Sequence, residues 1–444
     1  MHMKNKLFKR LKLFAAALLI IPCAFGLSAC KDGQTPYIGE NGNWFIGSTD
    51  TGVKAAGEDG TNGTNGINGT DGKDAEQIDT YEMYLNAVEH ENYQGSYLDF
   101  IKQNFMVNTD VTAAVANSCA LSVVEVKAYN NTSSVTTGSG VIYQIDNNGN
   151  ALVLTNYHVV VGAGTAVKTR FDLRIYGQQE NTYIHAEYVG GSSTYDIAVL
   201  KVTESALLKE SGAKAVSLNT SSPVLGETCV AIGNPNTFGI AVNKGVVSVD
   251  SEYVYMTVAG DRLLRRLIRH DAYIAGGSSG GGLFDINGQL LGITCGGQDG
   301  TDVHYAIPSS LVSSVVESIL QSADNGGIKP TTAVLGISTT FVPHPQYNTT
   351  SGLVEINDTI TISAIDDGLI KTAGTLAEGD QIVSITINPD TQNEETITLS
   401  REYQLKEILL TISANTTIRL NCQRGTENVS ATVFVSQSNL TAVK

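Results

Sequence analysis

The chain has 444 residues, enough for roughly two to four domains. Hydrophobic content of 42% supplies real cores and excludes global disorder. A formal net charge of −16 argues against nonspecific nucleic-acid binding.

The first 29 residues carry five basic groups (Lys4, Lys6, Lys9, Arg10 and Lys12) and no acid. Leu13 to Leu27 is apolar but too short for a comfortable membrane span, so residues 1–29 read as an export signal. The segment ends in Leu27-Ser28-Ala29-Cys30, which resembles the lipobox of bacterial lipoproteins. That resemblance implies cleavage before Cys30, a lipid on its thiol, and a place on the outer face of the bacterial cell membrane. Two or more acyl chains would make such anchoring stable. Besides Cys23 and Cys30 the chain holds Cys119, Cys229, Cys295 and Cys422, an even number that permits disulfides. Three of these sit beside apolar strand-like runs, so all four read as free, buried thiols. No CxxC pair or His/Cys cluster calls for a metal, and no cofactor is expected.

Residues 30–78 are polar and Gly-rich. Glycines at 57, 60, 63, 66, 69 and 72 keep the collagen period, but without proline the stretch reads as a flexible spacer. Tyr37 to Gly47 resembles a short module that precedes collagen-like stretches in exported proteins of Firmicutes, and no chemistry attaches to it. Over 79–107, Tyr81, Tyr84, Leu85 and Val88 keep helical spacing, and Asn92 to Gly95 reads as a turn. This predicts a short helical hairpin.

From about residue 112 the period becomes that of strands. Ser122 to Tyr129 and Gly138 to Ile145 are rich in β-branched and aromatic residues, and Asn147-Asn148-Gly149 is a hairpin signal. Short strands with Gly- and Asn-rich turns continue to about residue 307, and a helix at about 309–321 closes an all-β segment assigned to 108–324.

A serine hydroxyl is a poor nucleophile unless an imidazole takes its proton, and the imidazole needs a carboxylate to orient it. The segment supplies one of each, in the order His158, Asp196, Ser279. His158 follows a strand. Asp196 opens an apolar strand, where a charge is costly unless partnered. Ser279 lies in a Gly/Ser turn, Ala275 to Leu283, of a kind that can aim main-chain N–H groups at an oxyanion. Ser139, between Gly138 and Gly140, is a rival serine but lies within a strand upstream of His158.

The ordered blocks Gly138 to Ile142, Thr155 to Val160, Tyr195 to Leu200, Ala231 to Pro235, Gly245 to Ser248 and Gly277 to Gly281 resemble the HtrA/Deg family of trypsin-like serine proteases. The resemblance implies a mainly β fold, with two six-stranded β-barrels and the active site between them. It implies His158 as general base, Asp196 as its orienter and Ser279 as nucleophile. The oxyanion donors would be the N–H groups of Gly277 and Ser279, with Ser278 a third candidate. It further implies protein or peptide substrates and assembly as a homotrimer. Ser278 stands where the family has Asn, and Gly282 where it has Pro. Both bear on how firmly the turn is held, and leave open a site formed only in an activated state. The resemblance implies a specificity pocket set by Tyr273 and Ile274 and by the later strand Ile293-Thr294-Cys295-Gly296. None is charged, so small or aliphatic side chains are expected at the cleavage position. His304 reads as structural, and Arg262, Arg265, Arg266 and Arg269 as a solvated strand face.

Asn325-Gly326-Gly327 with Pro330 marks a linker. Residues 330–440 mix strands with a helix at about 402–412. Ala377 to Ile385 resembles the Gly-Asp turn and following strand of PDZ domains, which implies a PDZ-like α+β domain whose carboxylate-binding loop is Leu335, Gly336 and Ile337. The expected protein is a lipid-anchored serine endopeptidase. The alternative is a catalytically weak surface-binding or adhesin-like protein on a protease fold.

Overall fold

The structure, a computed structural model, describes residues 37–46, 48–54, 87, 88, 93 and 112–444, apart from 131–133, 180 and 299. The signal segment, Cys30, most of the spacer and most of the 79–107 hairpin lie outside the described residues. Two units are distinguished, Met1–Phe105 and Met106–Lys444. In the first, β1 (Tyr37–Ile38), β2 (Asn43–Ile46) and β3 (Thr49–Lys54) form an antiparallel sheet. The Asp50 carboxylate ties its turn to Asn41 and Asn43.

The second unit begins with α1 (Thr112–Cys119) and then closes a barrel. Its strands are β4 (Val123–Asn130), β5 (Ser134–Ile145), β6 (Ala151–Thr155), β7 (Arg170–Ile175), β8 (Ile184–Ser192) and β9 (Ile197–Val202), in the order β4-β5-β6-β9-β8-β7. The 147–149 turn joins β5 to β6 in antiparallel register, with Ile145 opposite Ala151 and Asp146 capping the loop. β-Branched and aliphatic side chains (Val126, Ile142, Val153, Leu173, Leu200) fill the interior, which is how a barrel of this size removes its edges and its void together. One short helix interrupts it and another follows it. One is α2 (Tyr157–Val161). The other is α3 (Ala206–Ser211), whose first turn is capped by Ser205 Oγ accepting from the Leu208 N–H.

A second sheet follows: β10 (Ser217–Leu218), β11 (Thr228–Gly233), β12 (Ala241–Val258), β13 (Asp261–His270), β14 (Gly282–Phe284), β15 (Gln289–Gly297) and β16 (His304–Pro308). Its order is β10-β15-β14-β11-β12-β13-β16, and the extra pairing of β15 with β16 closes a ring of six strands. The helix α4 (Ser309–Asp324) then lays Leu311, Val312, Val315, Val316 and Ile319 into the core. These spacings follow the helical period.

Beyond the linker, β17 (Thr331–Ala333) pairs with the late strand β24 (Leu440–Ala442). Between them lie β18 (Ile337–Asn348), β19 (Leu353–Ile365), α5 (Leu369–Ala373), β20 (Gln381–Ile387), β21 (Glu395–Thr398), α6 (Glu402–Thr411), β22 (Thr416–Arg424) and β23 (Glu427–Val435). The sheet order is β18-β19-β20-β22-β23, with β21 on β20. Ile360, Ile385, Leu405, Ile418 and Leu420 form its separate core. The turn before β20 is held by Asp380, which accepts from the Ala377 N–H and from two Arg424 nitrogens at 2.7 and 2.8 Å. Cys119, Cys229, Cys295 and Cys422 are all free and buried, and burial pushes the Cys229 and Cys422 thiols up to about 12.

Two of the four arginines of β13 depart from the expectation of a solvated face. Arg262 is exposed, but Arg265 and Arg266 are buried. The strand is covered on both sides. Arg265 reaches toward the loop after β8, and Arg266 stacks 3.8 Å over the Tyr403 ring of α6 and pairs with Glu407.

Candidate active site

His158 is the second residue of α2, and Asp196 sits on the turn between β8 and β9. The turn brings them together because Asp196 takes a left-handed backbone, φ +57°, which Asp tolerates better than most residues. Its carboxylate, 1% exposed, accepts three bonds from His158. The main-chain N–H reaches Oδ1 at 3.0 Å, and Nδ1 lies 2.8 Å from Oδ2 and 3.1 Å from Oδ1. Asn156 Nδ2 donates to the Asp196 carbonyl at 2.9 Å and fixes the turn from behind. Burial pulls the imidazole pKa down, but the charge and hydrogen bond of Asp196 outweigh it, so the net shift is upward.

Ser279 ends the Gly/Ser turn that enters β14. The turn is densely pinned. The Gly276 carbonyl accepts from the Asn236 N–H at 2.7 Å, and the Gly277 carbonyl accepts from Ser139 Oγ at 2.8 Å. The Ser278 carbonyl accepts from Thr294 Oγ1 at 2.8 Å, and the Ser279 carbonyl from the Ser139 N–H at 2.7 Å. Gly280, at φ +90°, admits no side chain, since a Cβ there would lie 2.0 Å from the Ser139 carbonyl. Ser278 departs from the sequence expectation as an oxyanion donor: its N–H is spent on the Ala275 carbonyl at 2.9 Å. Its Oγ accepts from the Ala275 N–H at 3.2 Å, closing the turn on itself. Among the described residues, the Gly277 and Ser279 N–H groups donate to nothing, and Ser279 Oγ makes no hydrogen bond to His158.

Ser139, the rival serine, is fully buried. Its Oγ donates to Gly277 and accepts from the Asn234 N–H at 2.8 Å. It joins the first barrel to the Ser279 turn and has no access to a substrate. The sequence signal for it was its flanking glycines, which let β5 approach the turn closely.

A cleft of about 360 Å³ opens beside Ser279. Tyr273 and Ile274 line it as expected, but Ile293, Thr294 and Cys295 do not. Ile293 and Cys295 pack into the barrel core, and Thr294 Oγ1 is committed to the turn. The β15 strand presents Gly296, as expected, and Gly297 to the cleft, joined by Gln298, Thr301 and His304. None of the lining residues is charged. His304 meets the edge of Tyr273 at 5.7 Å between ring centres and lies 6.0 Å from His270. Burial pulls both imidazole pKa values down, His270 to about 4.

Leu335 and Gly336 lie far along the chain, just before β18, and Ile337 opens that strand. Leu335 is buried in the C-terminal core, and Gly336 is left-handed at φ +74°. The Leu335 and Gly336 carbonyls accept from the Ile370 and Asp366 N–H groups.

Residues 138–293 match the trypsin-like peptidase domain. The serine protease Do-like HtrA of Lactococcus lactis subsp. lactis is 28% identical over 370 residues, covering 75% of this chain and 84% of the relative. A protein of Haemophilus influenzae named as a probable periplasmic serine protease do/HhoA-like is 32% identical over 191 residues, 41% of this chain and 36% of the relative. The solved structure of the HtrA-type protease AlgW with a tripeptide shares the fold, with a TM-score of 0.51 and 24% identity over 75% of this chain and 98% of that one. The chain is a serine endopeptidase with a trypsin-like peptidase domain.

Proposed function

We propose that this serine endopeptidase is an HtrA-type protease that cleaves misfolded or specific proteins outside the cytoplasm through a Ser-His-Asp triad. The observation that carries the reading is the three-bond hold of Asp196 on His158. Asp196 fixes the tautomer with the proton on Nδ1, leaving Nε2 as a base. His158 Nε2 takes the Ser279 Oγ proton as Oγ attacks the scissile carbonyl. The uncommitted N–H groups of Gly277 and Ser279 receive the oxyanion, each worth about 3 kcal/mol. His158 then passes its proton to the leaving amine, giving the acyl-enzyme, and water reverses the sequence. The absent Ser279–His158 bond fits a free enzyme whose catalytic hydrogen bonds tighten on substrate.

The uncharged cleft beside Ser279 supports an uncharged side chain at the cleavage position. The relative named periplasmic supports a place outside the cytoplasm, and the lipobox-like segment adds an anchor at Cys30. In the C-terminal domain, β18 is an edge strand, and no described residue accepts from the Leu335 or Gly336 N–H. Both support a PDZ-like domain that captures a peptide carboxylate and adds the peptide as a strand. Assembly as a homotrimer completes the reading. A casein or peptide assay of wild type beside Ser279→Ala tests it: turnover by the wild type alone supports the nucleophile, and equal turnover refutes it.

A further inference from the structure

Arg265 is an unusual cation. It extends from β13 of the second barrel, is 5% exposed, and makes no ion pair among the described residues. Every acceptor it has is a main-chain carbonyl. Nε donates to Thr194 at 2.9 Å, one terminal nitrogen to Ser193 at 2.5 Å, and the other to Met256 at 2.5 Å and more loosely to Leu263 at 3.4 Å. Met256 and Leu263 belong to its own hairpin, so they hold the guanidinium still. Ser193 and Thr194 belong to the other barrel, on the loop that leads into Asp196.

That loop is gripped a second time. The Lys444 main-chain oxygen accepts from the Thr194 N–H at 3.0 Å and from Ser192 Oγ, which in turn accepts from the Tyr195 N–H at 3.3 Å. Both peptide faces of Thr194 are therefore fixed, two residues before a left-handed Asp. A non-glycine residue stays in that region when its surroundings over-determine it.

We infer that Arg265 is a positioning residue for the triad carboxylate: by holding the Ser193 and Thr194 carbonyls it fixes the loop that delivers Asp196 to His158. The inference rests on the triad proposed above. The fork geometry matters as much as the charge. Three carbonyl directions are met by a planar guanidinium, and the point charge of a lysine ammonium cannot reproduce them. Arg265 touches neither substrate nor reacting atoms and acts through Asp196.

The test compares Arg265→Lys, Arg265→Gln and Asp196→Asn with wild type in the full chain. Steady-state peptide hydrolysis and the low-field proton resonance of the His158–Asp196 hydrogen bond are both recorded. Misplacing a catalytic group by about 1 Å costs about 100-fold in rate. Folded Arg265 variants are therefore expected to lose about 10- to 100-fold in kcat with KM within about twofold of wild type, and to broaden or lose the low-field signal. Folded variants with wild-type kcat and an intact signal overturn the inference, and so does a loss of kcat with the signal unchanged. If neither variant folds, Ser192→Ala loosens the same loop from its other side, and unchanged kcat there overturns it equally. Wild-type kcat in Asp196→Asn would instead refute the triad on which the inference stands.

Discussion

Replacing Ser139 with alanine tests whether the nucleophile turn is held ready by the first barrel. The hydroxyl is fully buried and bridges two main-chain groups, donating to the Gly277 carbonyl and accepting from the Asn234 N–H, each at 2.8 Å. Alanine removes the hydroxyl and orphans both main-chain groups. Each orphaned buried group costs about 1–3 kcal/mol, so destabilisation of roughly 2–6 kcal/mol is expected. The peptide between Gly277 and Ser278 loses its carbonyl partner at the same time and keeps only the Ser278 N–H bond to Ala275, which loosens the turn. Losing an oxyanion donor outright costs about 100- to 1,000-fold in kcat, so a loosened donor is expected to cost about 10- to 100-fold. Thermal unfolding and single-turnover acylation of an ester substrate separate the two effects. A variant that unfolds earlier but acylates at the wild-type rate would refute the claim that Ser139 preorganises the turn.

Three further outcomes follow from the same geometry. Because Asp196 raises the His158 pKa and the base must be neutral, kcat/KM should rise with pH through a limb above about 6.5; a limb well below that value contradicts the Asp196 pairing. His270 is buried neutral at about 4, so the unfolded chain takes up its proton first and stability is lost as pH falls from about 6.5 toward 4. His270→Leu should flatten that slope by up to roughly 3 kcal/mol, read from denaturant melts across the window. Glu407→Ala strands Arg266 as a buried charge and should cost about 3–5 kcal/mol, whereas Glu407→Leu with Arg266→Met should recover most of it.

The legible parts of this chain were those with a local cause. The β5–β6 hairpin was announced by Asn147-Asn148-Gly149, and the helices expected at about 309–321 and about 402–412 are α4 (Ser309–Asp324) and α6 (Glu402–Thr411). His158 and Asp196 were legible because a lone imidazole after a strand and a carboxylate opening an apolar strand need partners, and each proves to be the other's. What was illegible depended on contacts between distant segments. Ser139 looked like a competing nucleophile until β5 met the turn, 138 residues later in the chain. The pocket was misread at Ile293, Thr294 and Cys295, because Ile293 and Cys295 turn into the core and β15 shifts register between Thr294 and Gly296, leaving Gly296 and Gly297 on the cleft. Arg265 and Arg266 appeared solvated because no local pattern reveals that a strand is covered on both sides.

The central claim is that Ser279 is an activated nucleophile, and covalent labelling by a fluorophosphonate, read by peptide mass spectrometry, tests it most directly. The expected result is one adduct on Ser279 in the wild type, formed far more slowly in Asp196→Asn and absent in Ser279→Ala. An adduct on another residue, or equal labelling of Ser279→Ala, would contradict it.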